Sequence, residues 1–203
     1  DRPITAADVV DLQHTIEPSL PRGLRERQNW VGGPGWSPLR AEYVPPPESE
    51  VPRLVADLAR FVTVTEGNPV VRAAIAHAQF ETIHPFDDGN GRTGRALVQV
   101  VFRRRGIAPR FLPPISVVFA DARDRYIAGL TRYRGDDVTG WIEQFAAATV
   151  RSATRITTDT VTGKQKPRYN PATDPTPEPP PGSSVAEPLS DAVHDVEQLQ
   201  PEC

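Results

Sequence analysis

The sequence predicts an all-α domain, and three observations predict it. Apolar residues recur at helical spacing through most of residues 49–158. Helix-boundary residues punctuate those runs, with Pro69 placed to open one helix and Arg103, Arg104, Arg105 and Gly106 placed to close another. Strand-like alternation is scarce and is confined to a Gly/Pro-rich stretch near residue 30.

Taken in order, residues 1–48 form an N-terminal segment with one short helix, at about 5–15, followed by the run NWVGGPGWSPLRAEYVPPP. Alternation around Gly32, Gly33, Gly35 and Trp36 predicts a small β-hairpin or ordered loop, ended by the prolines at 45–47. In the helical core, 49–158, the apolar face of the first helix includes Val51, Leu54, Val55, Leu58, Phe61 and Val62. The helix opened by Pro69 carries Val70, Ala74, Ala78 and Phe80 and runs toward Ile83. After the turn HPFDDGNG, further helices fit residues 92–105, 120–133 and 138–154, with Trp141 and Phe145 in the core. Residues 159–203 form a Pro-rich acidic tail. With nine prolines from Pro167 onward and few aromatics, it is expected to be disordered.

Composition narrows the function classes. Hydrophobic residues make up 38% of the 203 and charged ones 24%, which suits a soluble, cytoplasmic protein. No run approaches the ~18 apolar residues of a membrane span, and no leader pattern opens the chain. Cys203 is the lone cysteine, which excludes an internal disulfide and a cysteine metal cluster. The chain begins at Asp1 without any methionine, so a fragment or processed product is expected. The net charge of −3 hides an asymmetry: seven acids and no basic residue follow Arg168, leaving residues 1–168 with 23 basic and 19 acidic side chains. That balance favours an anionic ligand and is too weak to argue for nucleic acid.

The chemistry concentrates at residues 84–95, His84-Pro85-Phe86-Asp87-Asp88-Gly89-Asn90-Gly91-Arg92-Thr93-Gly94-Arg95. Gly89 and Gly91 flank Asn90 just before a helix, where glycines permit left-handed angles and close approach of a ligand. Free N–H groups of a first helical turn make an anion site. Arg92 and Arg95 are three apart in that turn, where cations oppose the helix dipole unless they clamp an anion. Asp88 can hold Mg²⁺ together with phosphates and waters, and His84 can take a proton near neutral pH. Anion cradle, cation clamp, metal carboxylate and base together describe phosphoryl or nucleotidyl transfer.

This segment resembles the Fic motif, H-x-F-x-(D/E)-G-N-G-R-x-x-R, at every fixed position. RQNWVGG at 27–33, AEYVPPP at 41–47, AIAHAQFETIHPF at 74–86 and DRYIAGLTRYRGDD at 124–137 are also similar to Fic-domain sequence. The resemblance implies a Fic/Fido helical core with a β-hairpin flap, and protein adenylyltransfer: AMP moved from ATP to a target hydroxyl, with pyrophosphate released. It implies that His84 is the base and Phe86 the loop's anchor in the core. Asp88 then binds Mg²⁺, and Gly89, Asn90 and Gly91 form the anion hole. Arg92 and Arg95 serve the β- and γ-phosphates. Gly32, Gly33, Gly35 and Trp36 would belong to a flap that docks the target chain by edge pairing.

Gly91-Arg92 argues against the related Doc-type kinases, which carry lysine there. Phosphocholine transfer, removal of AMP, and a nucleotide-binding or interaction module without turnover stay open as alternatives. Many Fic enzymes are restrained by a glutamate in S/T-x-x-x-E-G/N that pairs with the motif's last arginine, here Arg95. The one Glu followed by Gly or Asn is Glu66, and Val62 stands where Ser or Thr would be needed. An inhibitory helix is therefore expected from residues before Asp1 or from a partner, and the chain by itself is expected to be deregulated. His77 reads as a core or interhelical histidine rather than a second base. His14 and His194 read as surface residues.

Overall fold

The computed structural model describes residues 2–33, 37–64, 66–106 and 114–162, with side chains described to residue 155. Seven α-helices account for most of these residues: α1 (Ala6–Ile16), α2 (Val51–Val64), α3 (Pro69–Ile83), α4 (Asn90–Arg104), α5 (Ile115–Asp121), α6 (Arg123–Arg134) and α7 (Val138–Thr162). The all-α class is borne out.

Helix α3 is the centre of the bundle and packs against α2, α4, α6 and α7. Its alanines explain this. Ala73, Ala74, Ala76 and Ala78 are fully buried, and their small side chains let several helices approach one axis closely. Asn68 caps it, its Oδ1 accepting the Val70 N–H at 2.8 Å, and Pro69 occupies the first turn. Helix α1 opens with a reciprocal cap between Thr5 and Asp8 and lies on α2 and α4, so the N-terminal segment is stitched to the core.

The segment expected as one helix at 120–133 is two. Ala122 leaves the helical region (φ −134°, ψ 46°) between α5 and α6. Phe119 and Tyr126 explain the break. Seven residues of straight helix would separate their Cα atoms by about 10.5 Å, whereas their rings stand 4.6 Å apart beside His77 and Trp141. Helix α7 runs past the expected end at 154 to Thr162. His14 is half-buried rather than on the surface. The expected disorder of the tail, and His194 within it, lie outside the described residues.

At the expected hairpin, Val31 and Tyr43 form an isolated antiparallel bridge, with Val31 N–H donating to Tyr43 O at 2.9 Å and Glu42 N–H to Val31 O at 2.9 Å. The turn between them includes Gly32 and Gly33, both left-handed (φ 72° and 71°). A Cβ on Gly33 would fall 2.5 Å from the Arg40 carbonyl oxygen, so glycine is required there. A short 3₁₀ turn at Pro38–Arg40 follows. Gly35 and Trp36 lie outside the described residues. Tyr43 anchors the far side: its hydroxyl donates to Thr82 O at 2.9 Å, and the Arg134 guanidinium stacks 3.5 Å above its ring.

Candidate active site

His84 ends α3 in the left-handed region (φ 47°, ψ 63°), a conformation that costs a non-glycine residue about 1 kcal/mol. Pro85 contributes to this, because the residue before a proline is disfavoured from continuing the helix. The turn is held from outside by Arg25, which is almost fully buried. Its Nε donates to His84 O at 2.9 Å, and its terminal nitrogens reach the carbonyls of Arg27, Pro46 and Ile83. Its backbone N–H donates to Pro85 O at 2.9 Å.

Phe86 is buried against Phe80 with ring centroids 6.2 Å apart, as its expected anchoring role requires. Asn90 spans the loop. Its Oδ1 accepts Phe86 N–H at 2.9 Å and its Nδ2 donates to Phe86 O at 2.7 Å, so its side chain stiffens the loop and is not itself offered to an anion. Gly89 caps α4 at φ 80° with no side-chain cap bond, so the first helical turn, whose residues line the cavity, keeps N–H groups that no side chain caps.

His84, Asp87, Asp88, Gly89, Asn90, Gly91, Arg92 and Arg95 line one open cavity of about 250 Å³. Seven of the eight motif residues singled out from the sequence thus meet around one space, and the eighth, Phe86, supports it from the core. The Arg95 guanidinium lies over Gly91, where an added Cβ would come within 3.2 Å of it. Arg92 forms an ion pair with Glu17, at the C-terminal end of α1. Asp88 accepts the Gly89 N–H through Oδ1 at 2.6 Å, which fixes the plane of the carboxylate. A carboxylate held in this way suits a divalent cation whose remaining ligands are phosphates and waters. Among the described residues no cluster of three or more His, Cys, Asp or Glu could cage a metal by itself.

Burial, reinforced by the positive charges of Arg25 and Arg134 and opposed by Asp88, pulls the His84 imidazole down to about 4, so the ring is neutral at pH 7. Behind the site, Glu81 is buried against α4 and its carboxyl is pushed up to about 7 by burial, opposed by Arg95 and Arg134. His77 is fully buried among Phe119, Tyr126, Trp141 and Phe145, with Nε2 3.0 Å from the Tyr126 hydroxyl, which is the core role read from the sequence.

Three residues close to the site carry no signal in the motif: Glu17, Arg25 and Asn29. Asn29 Nδ2 lies 3.0 Å from His84 Nδ1 and donates to Phe86 O at 2.9 Å. Arg25 and Asn29 fall in or beside the RQNWVGG stretch, which was the available hint. Glu17 had none.

Comparison with known proteins agrees with this geometry. The model of the Fic/DOC family matches residues 3–102. The chain is 30% identical over 131 residues to protein adenylyltransferase fic-1 of Caenorhabditis elegans, covering 63% of this chain and 23% of that protein. It is 32% identical over 117 residues to protein adenylyltransferase Fic of Drosophila grimshawi, covering 54% and 22%. The chain therefore spans about a quarter of the length of these curated relatives. Among solved structures, a Fic family protein from Desulfovibrio desulfuricans superposes with a TM-score of 0.65 at 26% identity, over 80% of this chain and 49% of that one. None of the described helices is long and apolar enough to cross a membrane. With the motif, the bundle that presents it and these matches in agreement, residues 3–102 of the chain form a domain of the Fic/DOC family.

Proposed function

We propose that this chain transfers AMP from ATP to a hydroxyl side chain of a target protein and releases pyrophosphate. The observation that carries the reading is the meeting of a neutral histidine, a fixed carboxylate, two arginines and a glycine-capped helix N-terminus around one open cavity. The relatives named protein adenylyltransferase support it.

In this reading the first turn of α4 and the two arginines bind the phosphates, Arg92 nearer the loop and Arg95 from across Gly91. Mg²⁺ held by Asp88 would neutralise charge on the phosphates. The target hydroxyl attacks the α-phosphorus in line. Its proton passes to His84, and the bond from the α-phosphorus to the pyrophosphate oxygen breaks. The segment around Gly32, Gly33, Gly35 and Trp36 would present the target chain beside this cavity, with Val31 and Tyr43 as the start of the edge.

Incubation with ATP labelled at either the α- or the γ-phosphate tests the class of reaction. Protein labelled from the α-position alone is the expected result. Label from the γ-position identifies a kinase instead.

A further inference from the structure

The His84 ring is held from the protein side by two amides. Asn29 Nδ2 lies 3.0 Å and Asn90 Nδ2 3.3 Å from Nδ1. Asn90 cannot change its orientation without losing both of its bonds to the Phe86 backbone. Asn29 is different. Its Nδ2 also donates to Phe86 O, but its buried Oδ1 has no hydrogen-bond partner. A half-turn of the Asn29 amide exchanges Oδ1 with Nδ2 and gives up the Asn29 bond to Phe86 O, which is left with its bond from Asn90. A buried amide oxygen without a partner is costly, and the half-turn gives it one whenever Nδ1 carries a proton.

We infer that Asn29 is a positioning residue for His84, its side-chain amide selecting which ring nitrogen carries the proton. The inference rests on His84 being the base. With Nδ2 facing Nδ1, the ring's proton sits on Nε2, and that nitrogen cannot accept another. With Oδ1 facing Nδ1, the proton sits on Nδ1 and Nε2 presents a lone pair. The target O–H proton then passes to Nε2. The electron pair of that O–H bond forms the new bond to the α-phosphorus, and pyrophosphate leaves with the electrons of the broken P–O bond. The imidazolium that results keeps its Nδ1–H on Asn29 Oδ1.

Asn29 is well placed to hold a ring steady. Arg25, four residues before it, staples this segment to the His84 turn, and the Val31–Tyr43 bridge pins it two residues after. The orienting group is neutral. The charges around the ring come from Arg25 on the N-terminal segment, Arg134 on α6, and Asp87, Asp88, Arg92 and Arg95 on the motif loop and α4. A carboxylate in place of the Asn29 amide would change that balance directly.

The test is ¹⁵N NMR of histidine-labelled full chain from about pH 3 to 8, with His84→Ala assigning the His84 ring. Wild type is compared with Asn29→Ala and with the isosteric Asn29→Asp, whose folding is checked by circular dichroism. In Asn29→Ala the ring is expected to populate both tautomers, with kcat lower by about tenfold or more and KM for ATP little changed. In Asn29→Asp the carboxylate accepts Nδ1–H, so the ring's midpoint moves up by about one pH unit or more and the acid limb of kcat moves with it. Unchanged tautomer and midpoint in both folded variants overturn the inference. So does an equal loss of kcat in both without a change of midpoint, which marks a merely structural role. If His84→Ala transfers AMP at the wild-type rate, the base assignment fails instead, and the ring data still decide separately whether Asn29 sets the tautomer.

Discussion

Glu17, at the C-terminal end of α1, is ion-paired with Arg92, the first arginine of the loop at 84–95. The Glu17 side chain is 13% exposed and lies against Gly89, where an added Cβ would meet its Cγ at 3.2 Å. A carboxylate there orients Arg92 and, under the proposed function, would repel the phosphates bound beside it. Glu17→Gln keeps the shape and removes the charge. ATP is expected to bind about 3- to 10-fold tighter to this variant at low salt, with the gain shrinking as salt rises. Calorimetric titration at two ionic strengths measures it. Equal affinity would mean that Glu17 only orients the arginine.

Arg25 holds four carbonyl oxygens with one planar fork, and two of them belong to Ile83 and His84. Arg25→Ala is expected to cost about 2–4 kcal/mol and to abolish most activity, because several buried carbonyls lose their donor together. Arg25→Lys should not rescue it, since an ammonium cannot span that arrangement. Thermal melting paired with a transfer assay checks both statements. Recovery of activity in the lysine variant would contradict the role given to the fork.

Gly94 lies where α4 packs directly on α3. A Cβ there would collide with Glu81 Oε1 and would stand 3.0 Å from Phe80 Cδ1 and 3.3 Å from His77 Nδ1. Gly94→Ala is therefore expected to destabilise the fold by about 1–3 kcal/mol, although alanine is the better helix former. Denaturant unfolding gives the sign, and a stabilised variant would show that α3 and α4 have room to part.

Acid stability has opposing contributions. His77 is pulled down to about 4 by burial, and His84 likewise to about 4, against 6.5 for an ordinary histidine. Between pH 6.5 and 4 the unfolded chain binds protons at these positions that the folded chain refuses, so both contribute a loss of stability as pH falls. Glu81 acts the other way. Its carboxyl is raised from 4.5 to about 7, so the folded state holds a proton that the unfolded state releases, and stability rises as pH falls through that window. Glu81→Gln removes the offset. The variant's melting temperature is expected to fall further than that of wild type between pH 7 and 5, and parallel melting curves would contradict the assignment to Glu81.

The helices were legible because their signals are local. Pro69 at a helix start, the spacing of Val51 to Val62, and the basic end at Arg103 and Arg104 all act within a turn or two. The break at Ala122 was not legible, because it answers to Phe119 and Tyr126 packing on a third element. The motif residues were legible as a set for the same reason as the helices: one contiguous loop carries them. Their supports were not. Arg25 meets the His84 carbonyl across 59 positions of sequence and Asn29 meets the ring across 55, and neither distance leaves a periodicity to read.

The central claim is that His84 removes the proton of the attacking hydroxyl within a nucleotide site that exists without it. The most direct measurement is protein labelling by ATP carrying the label at the α-phosphate, in wild type and in His84→Ala, with ATP affinity determined for both. Wild type is expected to transfer label. The variant is expected to bind ATP with near wild-type affinity and to transfer it about 10²-fold or more slowly. Equal transfer rates in the two proteins would contradict the account.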